Sequence, residues 1–280
     1  MRQIETSLIT EKVAGLCMES NYFLCKDVKQ ALKLSAEKEV SPIGINVLNT
    51  LIENAEIAAE EGLPICQDTG MAIVFVEIGQ GVEIKGGSLT GAINEGVRQG
   101  YKLGYLRNSI VEDPIRRKNT GDNTPAVIHY DIVMGGKLKI TVSPKGFGSE
   151  NMSALKMLKP SDGIEGVKNF VIHSVKTAGA NPCPPIIVGV GVGGSMEKSA
   201  LLAKKALLRE IPNHNPDPFW ADIETGLLGG INNLGIGPAG LGGTVTALAV
   251  NIEVFPTHIA GLPVSVNISC NATRHLEVIL

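Results

Sequence analysis

The sequence predicts an α/β fold of the mixed α+β kind, with mixed β-sheets flanked by helices. Three observations predict it. Segments with apolar residues at helical spacing alternate with short β-branched runs. One pair of runs is separated by little more than Gly135-Gly136, as in a hairpin, whereas others have a helix between them, as in strand–helix units. The 33 glycines and 15 prolines punctuate these segments rather than forming a low-complexity tract, so they mark tight loops. No internal repeat is visible. A chain of 280 residues can bury a sizeable core, and one domain over 1–280 is expected, with room for two lobes.

In order, Glu5 to Glu37 reads as two helical pieces broken near Ser20-Asn21. Ser41-Pro42 opens a helix whose apolar face is Ile45, Leu48, Ile52, Ala55 and Ala59, and Gly62 with Pro64 stops it. Met71 to Ile78 is an apolar strand, and Ser88 caps a helix to about Leu103. Ala126 to Val133 and Lys137 to Val142 form the expected hairpin. Helices are predicted at Ile164–Ala178, Met196–Arg209 and Asp217–Leu228, and strands at Ile186–Val190, Thr244–Glu253 and Val264–Ile268.

Apolar residues make up 44% of the chain and aromatics 4%, so aliphatic packing dominates the core. A net charge of −3, with no long run of one sign, argues against a nucleic-acid footprint. The first residues lack the layout of a signal peptide, and no uncharged apolar stretch is long enough to span a bilayer. A cytoplasmic protein is expected, with no nucleic acid and no membrane as partner.

Five cysteines without regular spacing suit metal binding or burial better than cross-linking. Cys17 and Cys25 sit in apolar helical segments and read as small buried hydrophobes. Cys66, Cys183 and Cys270 instead stand in three separate Gly/Pro-rich or polar loops: Pro-Ile-Cys-Gln-Asp-Thr-Gly, Asn-Pro-Cys-Pro-Pro and Asn-Ile-Ser-Cys-Asn-Ala-Thr-Arg-His. Spacing alone leaves two readings, three unrelated buried cysteines or three thiolates on one iron–sulfur cluster whose fourth iron is open. The Cys-x-x-Cys pairing usual in zinc sites and in electron-transfer clusters is absent. The rigid loops, with polar neighbours, favour the cluster.

Gln67 and Asp68 follow Cys66 and are placed for proton transfer beside a metal ligand. Asp68-Thr69-Gly70 is also the tripeptide of aspartic proteases, but here it follows a helix stop and a cysteine rather than an apolar strand. A turn-forming role for Asp68 is the structural alternative. Asn119-Thr120-Gly121-Asp122-Asn123 is dense enough in hydrogen-bonding groups to line a site. Gly189, Gly191 and Gly194 match G-x-G-x-x-G between a strand and a helix, but no acid ends a second strand about twenty residues on. A helix N-terminus offering amides to an anion is preferred over a dinucleotide site. His258, in a Pro/Gly loop before Cys270, is a site candidate, whereas His129, His173 and His214 read as structural. Arg107, Lys145 and Arg274 are the cations expected near an anionic substrate.

Six motifs are distributed along the chain: Ile-Cys-Gln-Asp-Thr-Gly, Asn-Thr-Gly-Asp-Asn-Thr-Pro-Ala, Pro-Lys-Gly-Phe-Gly-Ser-Glu-Asn, Gly-Val-Gly-Gly-Ser-Met-Glu-Lys, Gly-Pro-Ala-Gly-Leu-Gly-Gly and His-Ile-Ala-Gly-Leu-Pro-Val, and the resemblance they carry extends over nearly all of it. In this order they resemble the α subunit of class I, iron–sulfur fumarate hydratase, and the closely related L(+)-tartrate dehydratase α subunit is similar. The resemblance implies a [4Fe-4S] cluster on Cys66, Cys183 and Cys270. It implies catalytic roles for Asp68 and His258, and substrate contacts from Gln67, Arg107, Gly146 and Gly148. It implies a hydro-lyase converting fumarate to L-malate, or alternatively tartrate to oxaloacetate, with a small dicarboxylate as substrate. Members of the family complete their site with a β part. Only ten residues follow Cys270 here, so a separate β subunit and a hetero-oligomer are expected.

Overall fold

The computed structural model describes residues 2–280. In chain order the elements are β1 (Arg2–Glu5), α1 (Thr6–Tyr22), α2 (Lys26–Lys38), α3 (Pro42–Glu61), β2 (Met71–Gly79), β3 (Val82–Lys85), α4 (Leu89–Leu103), β4 (Val127–Val133), β5 (Leu138–Lys145), α5 (Phe147–Glu150), β6 (Ala154–Leu158), α6 (Gly163–Ala178), β7 (Ile186–Gly193), α7 (Met196–Ala206), α8 (Pro218–Asn232), β8 (Ala247–Phe255), β9 (Leu262–Ser269) and β10 (Leu276–Ile279). The mixed α+β class is as predicted. The chain divides into two compact units. One comprises Met1–Leu24, Ala55–Phe147 and Arg274–Leu280, and the other Cys25–Asn54 and Gly148–Thr273.

In the first unit a mixed sheet runs β10-β5-β2-β4, beside a small parallel pair of β1 and β3. Ala72, Val74 and Val76 of β2 alternate onto one face, where they meet Ile9, Val13 and Cys17 of α1 and Ile93 and Val97 of α4 in one apolar cluster. The expected hairpin does not form. β2 lies between β4 and β5, parallel to the former and antiparallel to the latter. The more continuously apolar strand takes the central position. Ser88 caps α4 as predicted, its hydroxyl accepting from the Gly91 amide at 3.3 Å.

In the second unit the sheet order is β6-β9-β7-β8, with β7 and β8 parallel and β9 antiparallel to β7. Val188, Val190 and Val192 of β7 join Val167, Val171 and Val175 of α6 and Leu227 and Ile231 of α8 in the core. The alternate residues Gly189 and Gly191 admit α7 on the other face. A Cβ on either would lie about 2 Å from the carbonyl oxygens of Ala203 and Ser199. Two glycines of the G-x-G-x-x-G match are therefore strand residues serving helix–sheet contact, and the dinucleotide reading loses its loop.

Candidate functional site

In the first unit the segment Cys66–Gly70 joins α3 to β2, and side chains and backbone groups from four other segments hold it. The Asp68 amide donates to Cys66 Sγ at 3.4 Å. The Asp68 carboxylate accepts the Gly70 amide at 3.0 Å on Oδ1 and the Phe147 amide at 2.9 Å on Oδ2. Its backbone carbonyl accepts from an Arg274 guanidinium nitrogen at 2.6 Å. Thr69 Oγ1 accepts the Arg107 amide at 2.9 Å and donates to the Arg107 carbonyl at 3.2 Å. Tyr101 donates to the Thr69 carbonyl at 2.7 Å, and Asn123 Nδ2 to the Gly70 carbonyl at 3.2 Å. Burial pushes the Tyr101 phenol upward, so it remains a donor.

These contacts bring Cys66, Gln67, Asp68, Arg107 and Gly146 into one neighbourhood. Gln67 and Arg107 are exposed, and Asp68 is half-buried. Gly146 lies so close that a Cβ there would stand 3.1 Å from Asp68 Oδ2. Gly148, in α5, is exposed with open space around its α-carbon. The polar stretch expected to line a site contributes its Asn123, fully buried, and Asp122 orders its neighbours. The Thr124 hydroxyl and amide, with Arg98, hold the Asp122 carboxyl down at about 2. Lys145 and Arg274 were expected near substrate. Both are buried and bond backbone carbonyls, Lys145 at Gly146 and Arg274 at Asp68, so they shape the loop from behind.

In the second unit Cys183 and Cys270 are neighbours by topology. Cys183 precedes β7, Cys270 follows β9, and these antiparallel strands place both at one end of the sheet. Asn271 ties the loops together, donating its amide at 3.3 Å and its Nδ2 at 2.8 Å to the Cys183 carbonyl. Cys183 takes φ 55°, exposing its side chain at a tight turn. The glycine-dense loop Gly235–Gly243 is attached there, the Ala239 amide donating to the Pro184 carbonyl at 2.8 Å. Glu39 secures the far side of that loop. Its buried carboxylate accepts the amides of Val40, Ser41, Thr244 and Val245 at 2.8–2.9 Å. Burial raises its pKa, but these four amides together outweigh burial and hold it below the usual range.

His258 is not brought to the cysteine loops of its own unit. It follows β8, at the end of the sheet opposite Cys183 and Cys270, and β7 separates the two ends by roughly 20 Å. There it is exposed, with Nδ1 accepting the Ala260 amide at 3.2 Å, beside an apolar recess lined by Phe219, Trp220 and Ile259. Sequence reading missed Thr69, Tyr101 and Glu39. Thr69 and Tyr101 act through bonds to distant backbone, which leave no local pattern. Glu39 stands two residues before the Ser-Pro helix start, and that position could have marked it as a loop anchor.

Taken one by one, the three loop cysteines have the chemistry of iron–sulfur ligands. Cys66, Cys183 and Cys270 are half-buried or exposed loop residues outside any disulfide, and an amide already points at Cys66 Sγ. Cys17 is the contrast, a fully buried thiol that desolvation pushes up to about 12, unsuited to act as a thiolate ligand. Among the described residues no three His, Cys, Asp or Glu side chains form a group able to hold one metal ion. No described helix is long and apolar enough to cross a membrane.

The family model described as fumarate hydratase (Fumerase) matches residues 10–279. A Methanocaldococcus jannaschii protein provisionally named L(+)-tartrate dehydratase subunit alpha is 47% identical over 274 residues, covering 95% of each chain. The L(+)-tartrate dehydratase subunit alpha of Escherichia coli strain UTI89 is 35% identical over 277 residues, covering 98% of this chain and 91% of its own. The protein of that name from strain K12 is 34% identical over 276 residues with the same coverage. A chain matched from residue 10 to residue 279 by one family model, and over nearly its whole length by relatives of one name, belongs to the fumarate hydratase (Fumerase) family.

Proposed function

We propose that this chain is the α subunit of an iron–sulfur hydro-lyase that dehydrates L(+)-tartrate to oxaloacetate together with a separate β subunit. The observation that carries the reading is the Cys66–Gly70 segment, which sets a thiol, an exposed amide and a clamped carboxylate in sequence beside Arg107. The tartrate substrate is preferred because relatives matched over nearly their full length carry that name. Their designation as subunit alpha supports a β partner. The family description keeps fumarate hydration as the second reading.

Cys66, Cys183 and Cys270 would hold the [4Fe-4S] cluster. When bound, a cluster with one open iron supplies a Lewis acid for the departing hydroxyl. The exposed Arg107 guanidinium pairs with a substrate carboxylate, its backbone fixed from both sides by Thr69. Gln67 presents an amide, donor and acceptor together, to a substrate hydroxyl. Asp68 uses one lone pair of each oxygen for the Gly70 and Phe147 amides, so its orientation is set and a second lone pair on each oxygen can take or return a hydroxyl proton. Removal of the proton from the adjacent carbon falls to the β chain. His258, on its separate surface, is given no step within the same chain.

The test is anaerobic co-purification with the β subunit, iron and sulfide analysis, and assay on L(+)-tartrate and fumarate. The expected result is a brown protein with the higher kcat/KM on tartrate, and a colourless, inactive Cys66→Ser variant. Turnover at the full rate by iron-free protein would overturn the cluster. A higher kcat/KM on fumarate would move the substrate to the second reading.

A further inference from the structure

β4 is an edge strand, paired only with β2, and its sequence reads almost the same from either end: Val127-Ile128-His129-Tyr130-Asp131-Ile132-Val133. We propose that this edge pairs antiparallel with the same edge of a second copy of the chain, about a two-fold axis through Tyr130. In that register Val127 faces Val133, Ile128 faces Ile132, and His129 faces Asp131 of the other copy, each twice.

The backbone is set for this register. In a strand the polar groups of successive residues point to opposite sides, and the Val133 carbonyl accepts the Gln80 amide at 2.9 Å, toward the β2 side. Val127, His129 and Asp131 therefore also bond toward β2. Ile128, Tyr130 and Ile132 present their N–H and C=O groups outward. A two-fold at Tyr130 makes Tyr130–Tyr130 and both Ile128–Ile132 matches the hydrogen-bonded pairs. The His129–Asp131 matches then fall at the non-hydrogen-bonded positions, where facing side chains come closest. Imidazole and carboxylate meet where facing side chains are closest, a match that hydrogen bonding can use alongside the contacts both residues already make. His129 is held in place by stacking on Phe75, with ring centroids 5.3 Å apart. A slip by one residue would lose every match.

The side chains agree. Ile132 is 74% exposed, and Met134 just beyond it 85%. The strand carries no lysine, no proline and no bulge, the usual protections of an uncovered edge. Isologous pairing covers Ile132 with Ile128 of the other copy and joins two four-stranded sheets into one.

Sedimentation equilibrium of the full-length chain over a range of concentrations tests the proposal. The wild type is expected to be a dimer, and Ile132→Glu to raise the dimer dissociation constant at least about tenfold. Ile132 makes little contact within the fold, so an unchanged melting temperature in that variant excludes misfolding. His129→Asp sets two aspartates opposite each other and should weaken the dimer similarly. The double variant His129→Asp/Asp131→His restores a histidine–aspartate match and should recover the wild-type constant to within about threefold. A wild type that stays monomeric, an Ile132→Glu variant that dimerises as tightly as wild type, or a double variant no better than His129→Asp each overturns it.

Discussion

The loop at Cys66 and the loops at Cys183 and Cys270 present the same side chain by different means. Around Cys66 much of the holding is done by side chains from elsewhere in the sequence, Tyr101, Asn123 and Arg274 among them, acting on backbone groups. Around Cys183 the holding is largely backbone to backbone, with a positive φ at the cysteine itself and the Asn271 and Ala239 amides attached to its turn. The first arrangement can orient a carboxylate to within one hydrogen-bond geometry, as it does for Asp68. The second fixes the cysteine and leaves little side chain nearby to do chemistry. On the proposed function, this difference would leave proton handling to the Cys66 loop and anchoring to the other two.

Asp68→Asn should break this assignment most visibly. If Asp68 exchanges a proton with substrate, kcat should fall about 100- to 10,000-fold. Iron content should be unchanged, because the cysteines are untouched. An amide retains one acceptor oxygen for one of the two clamping amides but sets an N–H against the other, so KM can move a little. A variant with normal kcat and lowered iron would reverse the roles of the two regions.

Glu39→Gln probes the anchoring side. The side-chain NH2 would face amide donors where a carboxylate oxygen now accepts them, costing about 2–3 kcal/mol of stability. The sign with pH follows from a folded pKa held below the unfolded value. The carboxylate contributes stability above the unfolded glutamate pKa of about 4.3, and that contribution is lost as pH falls through the folded value. Wild-type and variant melting temperatures should therefore differ at pH 7 and approach each other in acid. A constant gap down to pH 3 would remove the charge from the explanation.

Gly70→Ala tests how closely the Cys66 loop is seated. Gly70 has φ 77°, and a Cβ there would stand 2.7 Å from the Lys145 backbone nitrogen. The expected cost is about 1–3 kcal/mol, with loss of activity from displacement of Asp68. Full activity at unchanged stability would mean the loop has slack.

Much of this was legible in the sequence, for physical reasons that also mark its limits. Helices such as α6 and strands such as β7 were visible because periodicity and β-branching are local. The β4–β5 hairpin was misread because adjacency in sequence does not determine which strand is central, and β2 came between them. The loop positions of Cys66, Cys183, Cys270 and Asp68 were visible in the Gly/Pro-rich and polar sequence around them. The roles of Arg274 and Lys145 were not, because a cation turned inward onto a carbonyl and one turned outward to substrate look alike in sequence. His258 is a candidate both through the family resemblance and through its nearness to Cys270 along the chain, and β9 converts that nearness into separation along the sheet.

The smallest expected effect sharpens the contrast between ligand and core cysteines. Cys17 of α1 lies fully buried against α4, close enough that a Cβ on Gly100 would stand 2.8 Å from its own Cβ. Its thiol is pushed up to about 12, so at neutral pH it is a small apolar group. Cys17→Ala should cost about 1 kcal/mol through lost packing. Iron content, cluster absorbance and kcat should stay at wild-type values, in contrast to Cys66→Ser. A Cys17→Ala protein that lost iron while keeping its melting temperature would place a ligand in the helix interface, and exposure and loop position would then cease to distinguish the two classes of cysteine.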